Sequence, residues 1–182
     1  DDAKQRRDIK RIRQNQKAQV QALNARQANR LAALQAKENA ASARIYASYN
    51  LKIDPLANKR DRLRRQLART TKPAKRSALT KQINKLQVKI NGLVDDRTTD
   101  LNGLANRFNL KAQNIRNQFG QLIANVKANA QKQIQQERNA WRQTFRTQVQ
   151  AAKTRRDAQK DMVGSQAERG FSFISQMPPA GG

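Results

Sequence analysis

The feature that most constrains this chain is a spacing. Ile9, Val20, Leu31 and Ile53 lie on steps of eleven residues, with Ser42 in the intervening step, and Ile12, Leu23, Leu34, Ile45 and Leu56 form a second track of the same period. In the second half, Leu101, Leu104 and Phe108 are followed at the same interval by Ala112, Ile115 and Phe119. Next come Ile123, Val126 and Ala130, then Ile134, Glu137 and Trp141, and then Phe145. Eleven residues over three turns is about 3.67 residues per turn, close to an unstrained α-helix, so the stripe stays nearly straight or winds slightly right-handed. A seven-residue repeat would instead coil left-handed. Glu137 is the one clear break in the stripe and reads as a polar register-fixing or rim position. The spacing predicts an all-α protein of long helices, each with a thin apolar stripe.

Composition agrees with helix and argues against a large private core. Ala, Gln and Asn number 27, 23 and 16, whereas Leu, Ile, Val and Phe together supply 35 of 182 residues. Ala and Gln favour helix and Asn is tolerated there. Runs of alternating β-branched residues, the signature of strands, do not occur. So few bulky apolar groups on a chain of net charge +25 leave two options, disorder or long helices that bury a narrow face. Packing of an amphipathic face supplies most helix stability. These stripes are therefore expected to find burial in other copies or neighbours, in a bundle or tube. The candidate oligomer interface is Leu23, Leu34, Leu104, Phe108, Ile115, Phe119, Val126 and Trp141.

Local breakers suggest four helices. Asp54-Pro55 reads as an N-cap followed by proline at the first helical position. Thr70-Thr71-Lys72-Pro73 reads as a turn, because the residue before proline is pushed out of the α region. Asn91-Gly92 reads as a helix end, and Asp95, Asp96 and Thr99 as a new start. Gly103 and Gly120 each cost helix about 1 kcal/mol relative to Ala and would permit a bend or close packing. Helices are therefore expected over about 3–50, 55–70, 73–92 and 98–163. The corresponding regions are a long N-terminal helix over 1–50, a short basic helical hairpin over 51–97, a long C-terminal helix over 98–163 and a non-helical tail over 164–182.

Charge is concentrated where the hairpin is expected. Between Lys52 and Lys89 lie thirteen basic residues, opposed only by Asp54 and Asp61. The candidate nucleic-acid-binding set is Lys59, Arg60, Arg62, Arg64, Arg65, Arg69, Lys72, Lys75 and Arg76, centred on the turn. Such a cluster attracts phosphate polymers by counterion release, without sequence preference. Anionic lipid headgroups would suit the same cations. A merely solvated helix face should mix its signs, and this one does not. Base-specific readout is not expected, since no zinc finger, homeodomain or RNA-recognition aromatic pair is present. Trp141, Phe108, Phe119 and Phe145 lie on or near the apolar stripe and read as packing residues.

Several chemistries are excluded by absence. Without Cys or His there is no disulfide framework, Cys/His zinc site, cysteine nucleophile or histidine-based triad. No Gly-rich phosphate loop occurs. Asp95, Asp96 and Asp100 form the one local acidic cluster, for which helix capping is a simpler role than a metal site. Glu137 and Asp157 have no neighbour to make either a general acid. The expectation is a non-enzyme without cofactor or metal. No stretch approaches the apolar length of a membrane span. The chain opens on Asp1 rather than Met, which leaves room for N-terminal processing and for a targeting or membrane-active segment.

Two stretches, Val20-Gln-Ala-Leu-Asn-Ala-Arg-Gln-Ala-Asn-Arg-Leu31 and Asn125-Val-Lys-Ala-Asn-Ala-Gln-Lys-Gln-Ile134, resemble the internal virion proteins, or ejection proteins, of short-tailed bacteriophages. The resemblance covers most of residues 9–160 and is one of composition and periodicity, without a diagnostic motif. It implies a protein carried in the virion, in contact with the portal, with sister ejection proteins and with packaged DNA. It further implies multiple copies, and passage to the host cell envelope after ejection to assist genome delivery. Members that enter a membrane tend to carry an apolar Gly/Ala-rich N-terminal segment, which is not seen here. A sequence-independent, nucleoid-type nucleic-acid-binding protein is the alternative, and a membrane-surface helix protein a further one.

Overall fold

A computed structural model describes the backbone of residues 2–175 and the side chains to residue 170. Among the described residues the chain is all-α and has no strand. Helix α1 spans Asp2–Arg69 (68 residues) and helix α2 spans Pro73–Ser175 (103 residues). Thr70, Thr71 and Lys72 join them. The break falls where Lys72 precedes Pro73, and Pro73 occupies the first helical position, where its missing N–H costs no hydrogen bond.

Two compact units result, Val20–Ala124 around the turn, and Asp1–Gln19 together with Asn125–Gly182. In the first unit α1 and α2 run antiparallel along one line of contact. Arg60 Nη1 donates to Gln87 Oε1 (2.9 Å), Arg97 Nη1 to Asn50 Oδ1 (2.9 Å) and the Tyr49 hydroxyl to Asp100 Oδ2 (2.5 Å), while the Arg30 guanidinium stands over the Phe119 ring. On α1 the sheltered positions include 20, 23 and 27; 31, 34 and 38; 42, 45 and 49; and 53, 56 and 60. On α2 they include 90, 93 and 97; 101, 104 and 108; and 112, 115 and 119. In the second unit Ile9, Ile12 and Gln16 of α1 are sheltered, as are Val126, Ala130, Ile134, Glu137 and Trp141 of α2.

Burial is shallow throughout. Among the described residues the buried side chains are Ile53, Leu79, Ile83, Leu86, Ile90, Leu104, Phe119, Ala130 and Ile134, and none is polar. Phe119, 2 % exposed, is the most enclosed. Two helices in contact can cover only the facing side of each apolar residue, so most of the stripe stays half-buried.

Three expected helix boundaries are corrected. Asp54-Pro55 does not start a helix; Pro55 lies inside α1. Proline there removes a hydrogen bond to the carbonyl of Leu51 and strains the turn, at about 3 kcal/mol. Pro55 and Leu51 are exposed, so that carbonyl meets water, while Ile53 and Leu56 hold the helix from the opposite face. Asn91-Gly92 does not end a helix either. Gly92 is an ordinary helical residue, and buried Ile90 with half-buried Leu93 and Val94 carry the backbone across it. The expected tail is helical through Ser175, so Gly164 and Gly170 do not break α2; residues 176–182 of that tail lie outside the described residues. Four expected helices are therefore two. Gly120 has nothing within 4 Å of its Cβ position and Gly103 only the Arg107 side chain at 3.6 Å, so neither serves close packing.

Candidate nucleic-acid interface

The turn is built by backbone and side-chain bonds that complete the end of α1. The Thr70 N–H donates to the Leu67 carbonyl (3.2 Å) and the Thr70 hydroxyl to the Gln66 carbonyl (2.8 Å). Arg76, from the first turn of α2, reaches back with Nη1 to the carbonyls of Leu67 (3.1 Å) and Thr70 (2.8 Å). These are among the carbonyls a helix C-terminus leaves unpaired, and a cation there also meets the negative end of the helix dipole. Arg76 therefore works as a C-terminal cap of α1.

Arg60 also departs from its expected role. Its side chain is 19 % exposed, bonded to Gln87 across the contact line and to Asp61 Oδ1 at 3.1 Å. It follows Tyr49 by eleven residues, so it belongs to the inner track and not to an outer phosphate-facing surface. Arg64, beside it, lies 3.9 Å from Asp61 and donates at 3.4 Å to Gln87, yet stays half exposed. Lys59, Arg62, Arg65, Arg69, Lys72 and Lys75 are exposed and make no ion pair among the described residues. On α1, Arg62, Arg65 and Arg69 fall on the face turned away from α2, because three- and four-residue steps keep side chains on one side of a helix, and exposed Lys59 lies on the flank beside sheltered Leu56 and Leu63. The turn end thus presents a dense positive surface, with a single carboxylate, Asp61, among the nine cations of 59–76.

Helix α2 carries three further exposed cations. Lys81, Lys85 and Lys89 stand four residues apart on the outer side of α2, around Val88, which is 70 % exposed. At 1.5 Å rise per residue they are about 6 Å apart along the axis. The candidate set drawn from the sequence stopped at Arg76. The i, i+4, i+8 spacing was the signal that could have added them.

The residues expected to join copies of the chain lie along the contact between α1 and α2 of their own chain. Leu104 and Phe119 are buried within one chain, and Leu23, Leu34, Phe108, Ile115, Val126 and Trp141 are half-buried there. The physical reason is the antiparallel return of α2, which supplies each stripe with an intrachain partner. Asp95, Asp96 and Asp100 are corrected too: they lie inside α2 and cap no helix start. Asp100 accepts the Tyr49 hydroxyl instead. That bond, with slight desolvation and the negative charges of Asp100 and Asp96, pushes the Tyr49 phenol up to about 12.

Among the described residues no helix is long and apolar enough to cross a membrane. Compared with known proteins, the chain matches no family model, no curated protein and no solved structure.

Proposed function

We propose that this chain is a non-enzymatic helical structural protein that holds a phosphate polymer at its turn end. Following its resemblance to ejection proteins, we assign it to the interior of a bacteriophage virion. There it works in multiple copies beside packaged DNA, the portal and sister proteins, and it assists genome delivery. Its place is the virion, then the host envelope after ejection. In this reading the eleven-residue stripe makes slender helical pairs, and the basic hairpin is the part that meets DNA.

The observation that carries the phosphate contact is the exposure of Lys59, Arg62, Arg65, Arg69, Lys72 and Lys75, none of them in an ion pair among the described residues. Multiple copies are supported by α2 beyond Trp141. Residues 142–170 are exposed throughout, and Phe145 and Val149 are each 51 % exposed. A helix that buries nothing gains little from packing, so a neighbour's cover would stabilise it.

The test is duplex DNA binding by the full chain across a salt series. Affinity should fall steeply with salt, and R62Q/R65Q/R69Q should flatten the log–log slope by up to about 2.7, at roughly 0.9 per lost phosphate contact, with helix content unchanged. An unaltered slope would remove the turn end from the interface. For the virion assignment, mass spectrometry of purified particles should find the chain at fixed stoichiometry. The nucleoid-type alternative draws on the same cations. It predicts DNA coated by a chain that sediments alone and occurs in no particle.

A further inference from the structure

A second surface lies within the Val20–Ala124 unit. Arg30, Leu34 and Lys37 of α1 and Phe108, Lys111 and Ile115 of α2 line a groove of about 420 Å³. Its floor is apolar: Leu34, Phe108 and Ile115 are half-buried and continue the line of contact between the helices. Its rim is cationic. Lys111 Nζ stands 5.2 Å from the Phe108 ring centroid, and the Arg30 guanidinium 5.8 Å from that of Phe119. Ring faces attract cations without neutralising them, so both charges are held in place at the rim. Arg30, Lys37 and Lys111 form no ion pair among the described residues, and Glu38, next to Lys37 in sequence, does not line the groove.

We propose that this groove docks an acidic amphipathic helix from a different protein. Half-covered aliphatic and aromatic side chains between two helices are what the apolar face of a third helix packs against. The charge pattern fixes its flanks. Arg30 and Lys37 are seven residues apart, about 10.5 Å along α1, so two carboxylates spaced seven apart on the incoming helix would meet both. A carboxylate on its other flank would meet Lys111. A second copy of this chain is a poor occupant, because its most open helical segment, 142–170, has seven basic residues against three acidic ones. A nucleic acid would match the rim but not the floor, and the turn end offers it denser charge.

The probe is a designed, fluorescently labelled 18-residue helix with leucine at i, i+4, i+7 and i+11 and flanking glutamates seven apart, titrated with the full chain. The peptide should bind, and polyglutamate of equal charge should bind at least about tenfold more weakly, because it lacks the apolar face. K37E/K111E should weaken peptide binding by about tenfold or more. R62Q/R65Q/R69Q should leave it unchanged while flattening the DNA salt slope, so groove and turn end fail or succeed separately. Should charge reversal lower helix content, K37Q/K111Q makes the same test, with an expected loss of about threefold. Equal binding of peptide and polyglutamate, or insensitivity to both groove variants, would overturn the proposal. So would equal binding by a peptide of residues 142–170, which would make the occupant a second copy. A loss of DNA affinity in K37E/K111E as large as in the turn-end variant would make it nucleic acid.

Discussion

The turn-proximal part of the molecule and the far part of α2 are equally helical for different reasons. Between Ile53 and Ile90 lie five of the nine buried side chains, Ile53, Leu79, Ile83, Leu86 and Ile90, and they belong to two facing helices. Residues 142–170 bury none. There Ala, Gln and Arg supply intrinsic preference for helix, while Thr147 and Thr154 bond back to the carbonyls of Gln143 and Gln150, a habit that slightly loosens a helix. The lesson is that packing overrides local breakers and its absence leaves only propensity. Pro55 and Gly92, strong interrupters by themselves, are carried through because their neighbours are anchored. Nothing comparable anchors the far part of α2.

The sharpest way to break this comparison is to remove equal bulk from each part. Leu86→Ala should cost about 2–5 kcal/mol, the range for a truncated buried aliphatic, and Met162→Ala, at an exposed side chain, less than about 0.5 kcal/mol. Urea denaturation followed by circular dichroism compares them, and equal losses would mean that 142–170 is covered in solution. Gly92→Ala tests the override more gently. With open space at its Cβ position and an ordinary helical backbone, the variant should gain about 0.5–1 kcal/mol in the same assay. A loss would place a constraint at Gly92 that its surroundings do not explain. The smallest effect concerns Tyr49, whose tie to Asp100 is polar and close to solvent. Folded Tyr49 keeps its proton up to about 12, whereas the unfolded chain releases it near its ordinary value of 10.0. The native state then binds more protons in that interval. Stability from this bond is complete below pH 10 and lost as pH climbs to about 12. Asp100→Asn should bring the Tyr49 midpoint, read by phenolate absorbance, back toward 10; an unmoved midpoint would assign the shift to another cause.

Much of the architecture was legible because helix is a local matter. Abundant Ala and Gln, the lack of strand alternation and the residue before Pro73 each act within a few positions, and together they specify helix and one place to turn. The pairs Asp54-Pro55 and Asn91-Gly92 misled because a cap motif and a helix interior use the same residues. Which one forms depends on whether Ile53, Ile90 and their neighbours are held by another helix. The candidate site was legible in outline, since charge density around the turn needs only the sequence. The separation of Arg60 and Arg76 from the outward cations was not, because a guanidinium makes the same motif whether it bonds Gln87, caps a carbonyl or faces water.

By itself, then, the sequence determined the helical state, the turn at Lys72-Pro73 and the excess of positive charge, all of which follow from nearest-neighbour preferences and simple composition. Only the tertiary structure decided that two helices replace four, that the apolar stripe meets its own chain, and that Arg60 and Arg76 serve the fold. Those outcomes depend on what stands opposite a residue across the contact line, and a neighbour far away in sequence leaves no local mark.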